Sequence, residues 1–87
     1  MKRHEVELVR METHVEVLNF DPFPTITKKR FDNCSDEAIV TAVAAEFGDD
    51  LIAIVIYEIS VMKVDGVKYT SEPLNKKRWS KAPGKVL

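Results

Sequence analysis

The longest apolar stretch of the chain runs from Leu51 to Val64, and it predicts the central strand of a sheet. Its first seven residues are all apolar and mostly β-branched, which suits a pleated, packed strand. Because side chains alternate across a strand, one face is apolar throughout and consists of Leu51, Ala53, Val55, Tyr57, Ile59 and Val61. The other face is apolar only at its start, where it carries Ile52, Ile54 and Ile56. We therefore expect the first half of this strand to be covered on both sides.

Two further strands are predicted before residue 32. Residues 5–20 are rich in valine and contain no alanine, which favours a strand over the competing helix. Their apolar positions change phase twice, and each change turns the side chains to the other face of a sheet. The segment is therefore either one strand with bulges or bends, or two shorter strands joined near residues 12–14. After the rigid connection Asp21-Pro22-Phe23-Pro24, residues 25–31 predict a second, mostly exposed strand at a sheet edge.

One helix is predicted over residues 36–47, beginning after a capping Ser35 and ending at Gly48. Its composition is apolar around most of the circumference, and Thr41 is the only polar residue at positions 38–45. A helix with one exposed side normally carries a broad polar face. This helix therefore predicts a surface that a second layer or another molecule covers.

The pair Asp65-Gly66 predicts a two-residue β-hairpin in which Met62 faces Tyr69. The predicted order is thus strand-strand-helix-strand-strand, an α+β domain with one helix packed on an antiparallel sheet of about four strands. Both a β-grasp arrangement and a simple four-stranded meander have this order. We expect one α+β domain over residues 1–72, followed by a basic C-terminal tail over residues 73–87.

The composition is that of an ordinary soluble domain, with 45% apolar and 31% charged residues in a chain of 87. Cys34 is the only cysteine, so no internal disulfide forms, and this fits a reducing compartment. The first residues carry charges rather than the apolar core of a signal peptide. No apolar run approaches the ~20 residues that a membrane-spanning helix needs. We expect a cytoplasmic protein without a membrane partner.

Residues that carry chemistry are few. His4 and His14 lie ten positions apart, and neither has a cysteine or histidine at the close spacing of a metal site. Cys34 precedes a helix N-terminus, which lowers a thiol pKa, but catalysis would also need a base arranged around it. The sequence also lacks a glycine-rich phosphate loop. We therefore predict no enzymatic activity, no catalytic or metal-binding residues and no cofactor.

The charge is unevenly distributed. Residues 1–62 contain twelve acidic and six basic residues, a net of −6, whereas residues 63–87 contain two acidic and seven basic residues, a net of +5. The basic tail combines cations with one aromatic side chain, namely Lys76, Lys77, Arg78, Trp79, Lys81 and Lys85. Such a segment suits phosphates and a stacked base, or an acidic protein partner. A solvated tail, or one folded back on the acidic body, has the same composition.

The apolar surface exceeds what one twelve-residue helix covers, and this predicts an interface. The residues expected there are Ile52, Ile54, Ile56, Ala42 and Ala45. The sequence hypothesis is a small binding or regulatory protein of the inhibitor or adaptor type, acting as a homodimer or on a protein target. Compact regulators, including those of mobile genetic elements, have this character. The alternative is a nucleic-acid-binding accessory protein that uses the basic tail.

Overall fold

The computed structural model describes residues 4–80 as one antiparallel sheet with one helix. The elements in chain order are β1 Val6–Phe20, β2 Pro24–Arg30, α1 Asp36–Phe47, β3 Leu51–Val64, β4 Val67–Thr70 and β5 Leu74–Ser80. A short 3-10 turn, Gly48–Asp50, joins α1 to β3. The α+β architecture of the sequence prediction is confirmed, but the predicted order of elements is incomplete. A fifth strand follows the hairpin, formed by residues that the prediction had assigned to the tail.

The strands lie in the order β2-β1-β3-β4, and β5 also pairs with β3. Because β1 occupies one edge of β3, β4 and β5 follow one another along the other edge. Ser71 bridges the gap between them, since its amide donates to the Ser60 carbonyl at 2.9 Å and its Oγ accepts from the Ser60 amide at 2.9 Å. Backbone pairing along this edge of β3 therefore draws residues 74–80 into the sheet.

β1 is a single long strand whose pairing with β3 is irregular at two places. One register shift lies between Leu8 and Arg10, so that Val9 is an extra residue in β1. The other lies between Leu18 and Asn19, where β3 contributes the extra residue Ile52. The extra residue Val9 accounts for the first phase change in the sequence, because it places Val6 and Leu8 on the same face as Val15 and Val17. At the second phase change the strand stays in register, and Leu18 lies on the opposite face, beside Ala53.

The core lies between α1 and one side of the sheet, which we call the helix face. Its buried members come from β1, α1 and β3, and they are Val15, Val17, Ile39, Val43, Leu51, Ile54 and Ile56. α1 has the predicted bounds, and the Ser35 hydroxyl accepts the Ala38 amide at 3.1 Å to cap its first turn. Gly48 ends the helix with a φ of 53°, a left-handed conformation that favours glycine.

Two ion pairs hold α1 across the strands, because their lysines lie at opposite edges of one row of the sheet. Asp36 in its first turn meets Lys77 of β5 at 2.7 Å, and Glu46 near its end meets Lys29 of β2 at 2.7 Å. The Lys29 ammonium also lies 5.7 Å from the centre of the Phe47 ring. Exposed pairs of this kind contribute little to stability, so apolar burial holds the helix down and the pairs fix its direction.

The helix covers only part of the sheet on which it packs. Because α1 crosses the strands, it covers about its own width of 10 Å along β3, whereas the 14 residues of β3 extend about 46 Å. The molecule measures 56 × 23 × 21 Å, and its radius of gyration is 16.5 Å where a compact chain of this length has about 12 Å. The sheet therefore has a covered half, beneath α1, and an arm. The arm comprises residues 6–11 of β1, residues 59–64 of β3, and β4.

Candidate interaction surface

One side of the arm is a continuous apolar surface built from three strands. Directly opposed residues in an antiparallel sheet share a face, so the register fixes its members. Val6 lies opposite Val64, which lies opposite Val67; Leu8 lies opposite Met62, which lies opposite Tyr69. We call these six residues the arm face: Val6, Leu8, Met62, Val64, Val67 and Tyr69.

The arm face continues the helix face of the sheet, but α1 does not reach it. Met62 and Val64 alternate in phase with the buried residues Ile54 and Ile56 of the same strand. The outer strands of the arm leave their side chains in solvent, with 62% of Val6, 60% of Leu8, 55% of Val67 and 52% of Tyr69 exposed. Soluble proteins seldom leave an apolar patch of this extent without a partner.

The other side of the arm carries a charged row near the tip, next to the buried Val61. Glu7 lies opposite Lys63, and Lys63 lies opposite Lys68, so that one row across all three strands carries ionic side chains. All three residues are exposed. The arm is thus amphipathic, with one face suited to water and the other to a second apolar surface.

The tip of the arm is tied together by Asp65. Its Oδ1 accepts the Glu5 amide at 2.9 Å, its Oδ2 lies 2.6 Å from Nδ1 of His4, and its own amide donates to the Glu5 carbonyl at 2.9 Å. The hydrogen bond from His4, followed by that from the Glu5 amide, lowers the pKa of Asp65. Asp65 and Gly66 both have positive φ, at 51° and 81°, as the predicted two-residue turn requires. These contacts hold the beginning of β1 against the hairpin.

The base of the arm lies beside the N-terminus of α1. Ser35 and Cys34 line a depression with Thr13, Glu58 and Asn75, where β1 and β3 pass from the covered half into the arm. The Cys34 side chain is exposed, and its Sγ lies 3.6 Å from the Asp32 carbonyl oxygen. The sheet surface thus steps up at α1 from the arm face to the first turn of the helix.

The opposite side of the covered half, which we call the open face, carries a polar network around Glu12. Glu12 is 8% exposed, and its carboxylate meets His14 Nε2 at 2.9 Å, Arg10 Nε at 2.9 Å and Arg30 at 3.3 Å. The hydrogen bond from His14, and next that from Arg10, lowers the pKa of Glu12. His14 in turn stacks on Tyr57, with ring centres 5.6 Å apart. Burial of Tyr57 beside Glu16 raises the pKa of the Tyr57 phenol.

Asp32 continues the pairing of β1 with β2 beyond the end of β2. Its Oδ1 accepts the Thr13 amide at 2.9 Å, and its Oδ2 lies 2.6 Å from Arg30. The Arg30 hydrogen bond, assisted by the Thr13 amide, lowers the pKa of Asp32 to about 2. This carboxylate therefore fixes the turn that leads into α1.

The predicted basic segment is divided by its place in β5. Trp79 is half-buried and packs against the core, and Lys77 is paired with Asp36, which raises the pKa of Lys77. Lys76 and Arg78 are exposed. Lys81 and Lys85 lie outside the described residues. The indole is therefore not a free platform for a base.

The predicted interface is also divided. Ile54 and Ile56 are 2% and 3% exposed beneath α1, so they do not form an accessible surface in the single chain. Ile52 is half-buried at the β3 irregularity, whereas Ala42 and Ala45 are exposed on α1. Sequence reasoning missed most of the arm face. The signal was the repeated apolar-charged-apolar triplet, which occurs as Val6-Glu7-Leu8, Met62-Lys63-Val64 and Val67-Lys68-Tyr69.

Metal sites and membrane-spanning helices were the other classes of feature considered in the part of the chain that the structure describes. Residues 4–80 contain no group of three or more histidine, cysteine, aspartate or glutamate side chains placed to hold a metal ion. Within the same residues, no helix has the length and apolar character needed to cross a membrane. Comparisons of the chain with protein-family models, with curated proteins and with solved structures gave no match.

Proposed function

We propose that this chain is a small non-enzymatic binding protein of the inhibitor or adaptor type, which acts through protein–protein contacts made by the arm face. The observation that carries the proposal is the amphipathic arm. Leu8 and Tyr69 line one side of it in solvent, with the half-buried Met62 between them, while Lys63 and Lys68 line the other. A segment that only extended the fold would have no need for an apolar side that its own helix leaves uncovered.

The energetics of the arm favour a bound partner. Burial of apolar surface contributes about 25 cal/mol for each Å² removed from water. The arm face carries no charged side chain, so binding there requires no ion to leave water. The bonds of Asp65 at the tip hold β1 to the hairpin, so that the apolar rows are ordered before binding. Order of this kind lowers the entropic cost of association.

Matched variants on the two sides of the arm test the proposal. Leu8→Lys places a cation on the arm face, whereas Lys68→Glu alters the charged side of the same arm. Tagged wild type and both variants are used for affinity purification from the native host after nuclease treatment, and for co-expression with an untagged copy. We expect the protein partner, a second copy included, to be retained by Lys68→Glu and lost by Leu8→Lys. Retention of the same partners by Leu8→Lys would contradict the proposal.

A nucleic-acid accessory role is the second candidate, and the open face favours it more than the tail does. A row across the sheet joins Lys28 to Glu16, Val55 and Arg78, so that cations flank the open face on both edges. The stacked rings of His14 and Tyr57 lie between these edges. Carboxylates among the cations reduce the attraction for phosphates, and this places the role second.

Charge reversal at both edges tests this second role. The double variant Lys28→Glu and Arg78→Glu should abolish retention on a single-stranded oligonucleotide at low salt if the open face binds nucleic acid. The arm variant Leu8→Lys is the matched control and should bind as the wild type does. If the wild type itself shows no salt-dependent retention, the second role fails.

A further inference from the structure

The geometry points to a second copy of this chain as the occupant of the arm face. We infer that two arms pack face to face and antiparallel, with the tip of each arm against the first turn of α1 in its partner. This inference rests on the proposed function, since it names the occupant of the same surface. Two features support it: the direction of packing that α1 allows, and the composition and area of the arm face.

The helix decides the direction. A second sheet packs about 10 Å above the first, and above the covered half α1, itself about 10 Å across, already fills that layer. If both tips lay at the same end, the two helices would compete for one layer, and the arms could not meet. When one copy is reversed, each arm lies beside the partner's helix in that layer. The tip of the partner's arm then lies at the base of the first arm, against the first turn of α1.

The composition of the arm face allows it to pack against the same face of a second copy. A two-fold axis brings each surface against its own copy, so a charged face would repel itself, whereas all six residues of this face are uncharged. Burial of the arm face would remove on the order of 500 Å² from each copy and about 1,000 Å² in total, which meets the lower bound for a specific interface. A second copy therefore supplies enough area without a further surface.

The outer edge of β1 in the arm also favours packing of the two faces over pairing of the two edges. No strand among the described residues pairs with the outer edge of β1 before His14, so a second copy could add a strand there. The extra residue Val9 interrupts that edge, and a bulge of this kind discourages edge pairing. The bulge does not interrupt the rows of Leu8 and Val6, and these rows lie on the arm face.

The native thiol of Cys34 can be used to detect the antiparallel packing of the two arms. With the axis at Met62, residues toward the tip of one arm lie over residues toward the base of the other. Val67 in the tip row then approaches the depression that Cys34 and Glu58 line in the partner. Two Val67 side chains in the same dimer lie about four residues of strand apart, or about 13 Å.

Cross-linking with a short bismaleimide reagent tests the arrangement. Val67→Cys keeps a small apolar side chain on the arm face, and Lys68→Cys is the matched control on the charged side of the same strand. Each variant is made with native Cys34 and again with Cys34→Ser, and circular dichroism verifies the fold. We expect a covalent dimer from Val67→Cys with Cys34, at least a tenfold lower yield from Lys68→Cys, and loss of the dimer when Cys34 becomes Ser.

The outcomes separate this inference from the proposed function. A dimer that persists in Val67→Cys with Cys34→Ser, or an equal yield from Lys68→Cys, overturns the antiparallel arrangement. A folded Val67→Cys that yields only monomer overturns the second copy as occupant. In that case, loss of a different protein by Leu8→Lys would leave the proposed function standing, and retention of every partner would remove both.

Discussion

The covered half and the arm share the two long strands β1 and β3, yet they differ in what lies above them. In the covered half, Val17 and Ile54 face each other beneath α1 and are almost wholly buried. In the arm, Leu8 and Met62 face each other on the same side of the sheet, and Leu8 is mostly exposed. The residue types hardly change between the two regions. The position of α1 therefore separates core from interaction surface, because a helix about 10 Å wide that crosses the strands covers less than half of a 14-residue strand.

The largest expected difference in stability is between two variants, each of which places one negative charge in one of the two regions. Ile54→Asp puts an unpaired carboxylate beneath α1, at a cost of several kcal/mol, comparable to the total stability of about 5 kcal/mol expected for a domain of this size. Leu8→Asp puts the same charge on the arm face, where water still reaches it. We expect Ile54→Asp to abolish the cooperative thermal transition and Leu8→Asp to retain it at low protein concentration. Equal loss of the transition in both variants would erase the distinction between core and surface.

Trp79 sharpens the comparison at the edge of β3. Its ring packs against the core, whereas the ring of Tyr69 on the same edge lies on the arm face. Trp79→Ala should cost about 2–3 kcal/mol, below the value for a fully buried ring because Trp79 is only half-buried. Tyr69→Ala should stay within about 0.5 kcal/mol in the monomer. Urea unfolding at low concentration measures both, and a Trp79→Ala midpoint equal to the wild type would show that β5 does not contribute to the core.

A smaller effect is expected at the start of α1. The Ser35 hydroxyl accepts the Ala38 amide, and its loss should cost about 1 kcal/mol of unfolding free energy. Ser35→Asp keeps an acceptor and is the matched control. Urea unfolding should place Ser35→Ala below the wild type and Ser35→Asp near it. An unchanged Ser35→Ala would mean that packing alone determines where the helix begins.

The smallest effect is one of pH, and it compares two carboxylates that accept amides of β1. Asp32 binds the Thr13 amide in the covered half, and Asp65 binds the Glu5 amide at the arm tip. Both pKa values are lowered in the folded chain, that of Asp32 to about 2. A lowered pKa stabilises the fold above the ordinary pKa near 4, and this contribution is lost as the pH falls toward 2. Asp32→Asn should therefore flatten the decline of stability between pH 4 and 2.

Chemical unfolding at several pH values measures that slope. Asp65→Asn should change global stability less than Asp32→Asn, because the arm tip carries no core. If the stability of Asp32→Asn declined between pH 4 and 2 as steeply as that of the wild type, Asp32 would not titrate as the structure indicates.

Local signals in the sequence predicted the helix bounds and the hairpin correctly. Ser35 and Gly48 mark the ends of α1, and Asp65-Gly66 fixes the register of Met62 with Tyr69. These features depend on neighbouring residues only. The first phase change within residues 5–20 likewise indicated the extra residue in β1.

The features that sequence reasoning missed depend on distant pairing. Residues 74–80 have the charge pattern of a tail, and only the free edge of β3 makes them a strand. The side on which α1 packs was equally hidden, because β3 is apolar on both faces at its start. That choice buries Ile54 and Ile56, which the sequence had offered as an interface, and leaves the arm face open.

The mass of the chain in solution tests the central claim most directly. Multi-angle light scattering on purified wild type and Leu8→Lys, at micromolar concentration and with a hydrophobic dye as a second reading, compares the arm face with and without a charge. Self-association through the arm face predicts a wild-type mass of twice 9.9 kDa and a Leu8→Lys mass of 9.9 kDa. A wild-type mass of 9.9 kDa would contradict self-association. If the monomer also failed to bind the dye, the arm face would not be open to any other partner either.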